Sequence, residues 1–410
     1  MPSLAIRNSP SCGTIQSNEV LLMTTAVKVH REARSRISRF LRAPERAALA
    51  KILSLSLTTL VVLFLLDAVV FRSGFYARYI EPNSAAGDFE TIFHADQKNR
   101  FVRPHHALVL GDSQIGEGFS AQVANEIEAS SGWEFLAGGI GGASMRNWYY
   151  LLRDLDPDRS RFDVVVLPLR GYADVDDGEV RADRELDIRW MIARLRLADI
   201  PELVASFPTR SIALTILRES LFEGLVYRRD LREFLRNPRA RFRHLADCRL
   251  ACDDSLYVYP GHSEDLRGLS MDWSTRTLHF PPNLSAVTQA DMKARTDFQN
   301  WTVRGIERDY RKAWLGKIID RYRGTHTKIL IVSLPYRPLP IPLSWPLGAG
   351  SFVTEEAKNP IVTIANEHIF EDLQRPELFF DVFHMNRKGR EEFSRRLAAL
   401  VTQTAGGSLQ

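Results

Sequence analysis

The chain has 410 residues, of which 45% are hydrophobic and 25% charged, and a formal net charge of +4. That balance excludes a disordered, collagenous or disulfide-dense polypeptide and leaves room for one large domain with additions. The small positive excess does not imply nucleic acid, because the basic residues crowd one place. Lys28, Arg31, Arg34, Arg36, Arg39, Arg42, Arg46 and Lys51 all precede a single apolar run. Residues 1–27 lack periodicity and read as a disordered tail, or in part as a mis-assigned start.

The apolar run, "ILSLSLTTLVVLFLLDAVVF" from Ile52 to Phe71, carries one charge, Asp67, close to its far end. A helix needs roughly 20 residues to cross the hydrocarbon core. The run meets that length, and it exceeds the apolar core of a cleaved signal peptide. The reading is therefore a basic cytoplasmic tail over 1–50, a transmembrane helix over 51–72, and a chain that lies outside the cytoplasmic membrane beyond it, by the positive-inside bias. Residues 73–104 look like a mostly polar linker.

A core is expected over 105–404. Short apolar strand candidates recur at Ala107–Leu110, "WEFLAGG" (133–139), "DVVVLPL" (163–169) and "KILIVSLP" (328–335), separated by helical patterns such as "SMRNWYYLLRDL" and "DYRKAWLGKIIDRYR". Nearly continuous apolar strands alternating with amphipathic helices predict an α/β fold, a doubly wound parallel sheet covered on both faces. The stretch from about 175 to 300 breaks the rhythm with arginine-rich helical patterns. It reads as an insertion over the sheet's active edge or as a solvated surface appendage. Within it Cys248 and Cys252 are spaced for a small-loop disulfide in an oxidising space, or for two free thiols; no ligand cluster accompanies them, so a metal is not expected.

Two motifs carry chemistry. "ALVLGDSQIGEGFS", Ala107–Ser120, places Ser113 where a buried strand stops and a helix starts. Asp and Ser are ordinary turn and capping residues there. A serine at that junction also has backbone N–H groups beside it that can stabilise an oxyanion. The second motif, "LFFDVFHMNRKGREEF" from Leu378, holds Asp381 and His384 three residues apart, a spacing at which a carboxylate can fix an imidazole's tautomer while the other ring nitrogen faces a hydroxyl.

Together these blocks resemble the SGNH, or GDSL-type, hydrolases over roughly 105–175 and 325–402. The resemblance implies a flavodoxin-like sheet and a Ser113–His384–Asp381 triad. "AGGIGGAS", Ala137–Ser144, is similar to the family's second block and implies that the Gly142 N–H joins that of Ser113 in an oxyanion hole. No cofactor is implied, since the glycines do not satisfy G-x-G-x-x-G. The third block departs from the family: its strand is present in "DVVVLPLRGYADV", but the asparagine that would donate to the oxyanion is missing, with Tyr172 at or near its place. Tyr172, Arg170 or a group from the insertion is expected to substitute, and losing one such donor typically costs about 10² to 10³ in turnover.

The proline-rich "LPYRPLPIPLSWPLGAG" (334–350) leaves the carboxyl end of a strand, where loops line the ligand crevice of open α/β sheets, and makes Arg337 and Trp345, with Arg170, candidate substrate contacts. With its anchor, the chain resembles membrane-tethered SGNH-like proteins that work beside multi-span O-acyltransferases in alginate O-acetylation and D-alanyl transfer. That implies an acyl group moved onto or off an extracytoplasmic polysaccharide, wall polymer or lipid-linked acceptor, by an enzyme or by a catalytically silent partner that keeps the fold.

Overall fold

The structure is a computed structural model that describes residues 43–82, 84–98, 101–174, 181–251, 266–272, 274–275, 277–296, 308–339 and 350–406. The tail over 1–27, Trp345, Cys252 and the Cys248 side chain lie outside the described residues, as does any pairing of the two cysteines. The chain divides into a short unit ending at Leu66 and a large one from Asp67 to Gln410.

In the short unit the described residues belong to helix α1 (Ala43–Asp67). Its leucines, among them Leu53, Leu55 and Leu57, are exposed along its length. The helical stretch Ala47–Arg72 is long and apolar enough to cross a membrane.

The large unit is built on five parallel strands: β1 (His105–Gly111), β2 (Trp133–Gly139), β3 (Val164–Leu169), β6 (Lys328–Ser333) and β7 (Val362–Ile364). They lie in the order β2-β1-β3-β6-β7, and a separate hairpin pairs β4 (Ser270–Asp272) with β5 (Thr277–His279). Because side chains alternate across a strand, the apolar runs feed two cores. Leu108, Leu110, Val165, Leu167, Ile329 and Ile331 face one core, whereas Ala107, Val109, Val164, Val166, Leu330 and Val332 face the other.

Helices α5 (Met145–Leu155) and α9 (Arg308–Arg321) supply Trp148, Leu152, Trp314 and Ile318 to the first core. On the opposite side α3 (Ser113–Gly118), α4 (Ala121–Ile127) and the C-terminal α10 (Arg387–Gly406) supply Ile115, Ala124, Phe393 and Leu397, with Phe119 from the link between α3 and α4. The expected α/β class with a doubly covered parallel sheet is thus present.

The linker expected over 73–104 is corrected. That stretch holds a 3₁₀ turn, Tyr76–Tyr79, and helix α2 (Ala85–Lys98). Tyr76, Ile80 and Phe89 are buried in the first core, and Glu90 takes a bidentate pair from Arg194 at 2.7 and 2.7 Å. The apolar residues are few, but Phe89 and Phe93 stand one helical turn apart, which is enough to seat the helix.

The first part of the insertion joins the core as well: Ile188, Trp190, Met191 and Ile192 are buried with the strand residues. Farther along run three arginine-rich helices, α6 (Arg210–Leu221), α7 (Gly224–Arg236) and α8 (Pro238–Ala251).

Candidate active site

Ser113 follows β1 directly. Asp112 caps the short helix α3 by accepting from the Gln114 N–H at 2.9 Å, and the Ile115 and Gly116 N–H groups both close onto the Asp112 carbonyl. Capping at Asp112 stops the strand and turns the chain into α3, so Ser113 sits at the C-terminal edge of the sheet.

Asp381 and His384 come from a loop closed by an antiparallel bridge between Phe379 and Met385 and by the Phe380 N–H donating to the His384 carbonyl at 3.1 Å. Asp381 Oδ1 folds the loop on itself, accepting from the N–H groups of Phe383 and His384, each at 2.7 Å. Beyond it Asn386 caps α10 by accepting from the Gly389 N–H at 3.0 Å, while its own amide donates to the Glu377 carbonyl at 2.8 Å. A Cβ on Gly389 would fall 2.2 Å from the Leu378 carbonyl oxygen, so only glycine permits this approach. The N-x-x-G in the sequence is thus the clamp that sets the loop beneath Ser113.

These two loops meet. His384 Nε2 lies 2.9 Å from Ser113 Oγ, and His384 Nδ1 lies 2.7 Å from Asp381 Oδ2. The sequence separation between serine and histidine is 271 residues, and only the sheet brings them together. Phe380 stacks on the imidazole with ring centres 5.8 Å apart, and Phe383 meets it edge-on.

Burial of the imidazole opposes its charging, but the hydrogen bond and charge of Asp381, with Glu117 and Asp112 nearby, outweigh it and raise the His384 pKa above its ordinary 6.5. Burial likewise pushes the Asp381 carboxyl up, and the His384 contact and two backbone N–H donors override it, so the net shift is downward. A carboxylate that stays ionised beside a basic imidazole, itself against a serine hydroxyl, is an arrangement that can remove a proton from Oγ as it attacks a carbonyl carbon.

Gly142 lies in the loop after β2, at the same edge. The Ala143 N–H donates to the Ile140 carbonyl at 3.0 Å, making a turn in which Gly142 takes φ +75°, the left-handed value a type II turn demands of its third residue. The insertion closes over this turn: the Trp190 indole N–H donates to the Gly141 carbonyl at 3.0 Å, and a Cβ on Gly142 would meet Trp190 Cζ2 at 3.1 Å and Arg184 Nη2 at 3.3 Å. Beneath the turn Asp187 accepts from the Ser144 hydroxyl and from Arg146, both at 2.7 Å, and this ion pair is fully buried.

Tyr172 departs from its expected part. Its hydroxyl donates to the Ala365 carbonyl at 2.9 Å and lies 3.3 Å from that of Ile331, its ring is 3% exposed, and burial raises its pKa. The side chain is committed to the sheet's far edge rather than offered to an oxyanion. Its backbone is pinned too, by Glu367 accepting from the Tyr172 N–H at 2.8 Å and by Arg311 donating to the Gly171 and Tyr172 carbonyls, each at 3.2 Å. Tyr172→Phe is accordingly expected to leave ester turnover unchanged and to cost about 0.5–1.5 kcal/mol of stability, read as a lower Tm.

Arg170 does reach the site. Its Nε donates to Gln114 Oε1 at 2.9 Å, Nη2 reaches Asp112 Oδ2 at 3.3 Å, and the guanidinium lies 5.7 Å from the Phe383 ring centre. Arg337 is only 5% exposed, and its guanidinium lies 4.8 Å from the Tyr336 ring centre.

Gln114 is a residue the motifs did not single out. Buried beside the serine, it donates to the carbonyls of Tyr336 at 3.2 Å and Phe383 at 3.1 Å, and so joins the serine loop, the loop after β6 and the histidine loop. Its position next to Ser113 was visible, but its partners lie more than two hundred residues away.

Comparison of the chain with known protein families and with curated proteins returned no match.

Proposed function

We propose that the chain is a membrane-anchored serine acyl-ester enzyme of SGNH type, working outside the cytoplasmic membrane as an esterase or O-acyltransferase on a polysaccharide, wall-polymer or lipid-linked acceptor. The observation that carries the proposal is the continuous hydrogen-bonded line Ser113–His384–Asp381 at the carboxyl edge of the sheet. The strand order supports it. Counting parallel strands alone, the order is the 2-1-3-4-5 of flavodoxin-like folds, whose ligands bind outside the strand ends at the β1/β3 switch point. Ser113 follows the first of those two strands and Arg170 the second.

In the first half-reaction His384 Nε2 takes the Oγ proton as Oγ bonds to the acyl carbon, and the Ser113 and Gly142 N–H groups are the proposed donors to the developing oxyanion. The proton then passes from His384 to the leaving oxygen, which departs with its bonding pair and leaves Ser113 acylated. In the second half-reaction a sugar hydroxyl or water gives its proton to His384 as its oxygen bonds to the acyl carbon; the acyl–Oγ bond breaks with its pair left on Oγ, and His384 returns the proton to Ser113. Asp381 keeps the ring oriented throughout. Arg170 replaces the family's missing asparagine at the rim, as a guanidinium held by Asp112 and Gln114.

Esterase and transferase differ only in which hydroxyl reaches the acyl-serine. The test is to supply the full chain in detergent with nitrophenyl acetate, with and without an oligosaccharide, and to follow both nitrophenol and acetylated sugar. A transferase acetylates the sugar in a Ser113-dependent way. An esterase releases acetate whatever sugar is present. A catalytically silent partner, the reading the absent asparagine favours, does neither.

A further inference from the structure

We propose that the arginine-bearing faces of α7 and α8 form a surface for anionic lipid headgroups, lying on the leaflet from which the chain emerges. The proposal rests on reading α1 as a membrane anchor and is independent of the chemistry at Ser113. Three observations converge on it.

The first is a joint. Asp67, the last residue of α1, is buried, and its carboxylate accepts from the Gly224 N–H at 2.8 Å and the Glu223 N–H at 3.1 Å. Arg72 closes the joint through Glu223 at 3.0 Å. The apolar run therefore ends where α7 begins. A 13-residue helix is only about 20 Å long, so no part of α7 strays farther than that from the membrane exit.

The second is an aromatic ladder on the segment that leaves the anchor. Phe71 stacks on Tyr227 at 5.4 Å, Tyr79 stacks on Phe234 at 5.7 Å, and Phe242 on α8 closes edge-on against both Tyr79 and Phe234. Buried Arg241 reinforces it, reaching Asp230 at 3.1 Å and Glu81 at 3.0 Å. Tyrosine is enriched at the headgroup level, and phenylalanine is found on the apolar face of helices that lie in the interface. Phe75, in the same segment, is 53% exposed.

The third is the outward face. Arg228, Arg229, Arg232 and Arg236 on α7, with Arg239 and Arg243 on α8, are all exposed. Leu235, also on α7, is 70% exposed, and Phe242, beside Arg243, keeps 52% of its surface exposed. Arginines alone would suit water or any polyanion. Arginines interleaved with a leucine and a phenylalanine suit a boundary where charge meets hydrocarbon, because the guanidinium heads can hold phosphate while the apolar side chains enter the acyl region.

The experiment uses the full chain in nanodiscs of phosphatidylcholine, with and without phosphatidylglycerol, and lipids brominated near the carbonyl. Quenching of Leu235→Trp fluorescence is measured against the parent protein, whose seven tryptophans set the background. The expected result is quenching about twofold or more stronger in the anionic bilayer, lost when Arg228, Arg232, Arg239 and Arg243 are all changed to Gln while the circular dichroism is unchanged. Equal quenching in the two bilayers, no quenching, or quenching indifferent to the Gln changes overturns the proposal. In that event, protection of the same arginines from phenylglyoxal by a soluble acidic polysaccharide assigns the face to a polymer. Retention of the chain in the bilayer at alkaline pH reports separately on the anchor.

Discussion

Asp381→Asn is expected to lower ester turnover by up to about 10⁴-fold and to move the acidic limb of its pH profile downward. His384 must be neutral to accept the Ser113 proton, so turnover rises with pH through the imidazole pKa, which Asp381 holds above 6.5. Without the carboxylate, burial is left to oppose the charged ring against only the more distant Glu117 and Asp112, and the limb shifts toward lower pH. The amide also presents the wrong hydrogen-bonding partner to Nδ1, which is why the plateau falls as well as shifting. Initial rates across pH 5 to 9 separate the two effects; a plateau that falls without any shift of the limb would mean that Asp381 does not set the proton affinity of His384.

The same pair ties the loop's stability to pH. A raised imidazole pKa contributes stability that is complete below the unfolded value and is lost as pH rises through the folded one. A depressed carboxyl contributes stability that is present above the unfolded value and is lost as pH falls through the folded one. The loop 379–385 is therefore held most firmly between those two limits.

Ser113→Ala and His384→Ala are each expected to reduce turnover of an activated acetyl ester by about 10³-fold or more, with the double variant falling no further. The reason is that Oγ attack and proton removal are one event: a serine without its base attacks no better than a missing serine. The measurement is nitrophenol release by the full chain and the three variants. Multiplicative losses would mean that the two residues act in separate steps.

Much of the site was legible because its parts are local. Asp112–Ser113 is a strand end followed by a cap, and D-x-x-H followed by N-x-x-G is a loop followed by a cap, so each half shows itself within a dozen residues. The strand periodicity showed the parallel sheet for the same reason. What depended on distant partners was not legible. Tyr172 occupied the right slot in the sequence, but Glu367 and Arg311 hold its backbone so that the hydroxyl turns to Ala365. Gln114 and the buried Arg146–Asp187 pair owe their parts to residues far along the chain. Helix α2 was hidden by polar composition, since two phenylalanines one turn apart suffice to bury it.

Covalent labelling of Ser113 by a fluorophosphonate probe tests the central claim most directly, because the probe reacts with a serine whose proton is being taken and hardly at all with an ordinary hydroxyl. The full chain is incubated with the probe, digested, and mapped by mass spectrometry. The adduct is expected on the peptide carrying Ser113 and is expected to vanish in His384→Ala; a folded protein left unlabelled at Ser113, or labelled equally without His384, would contradict the triad.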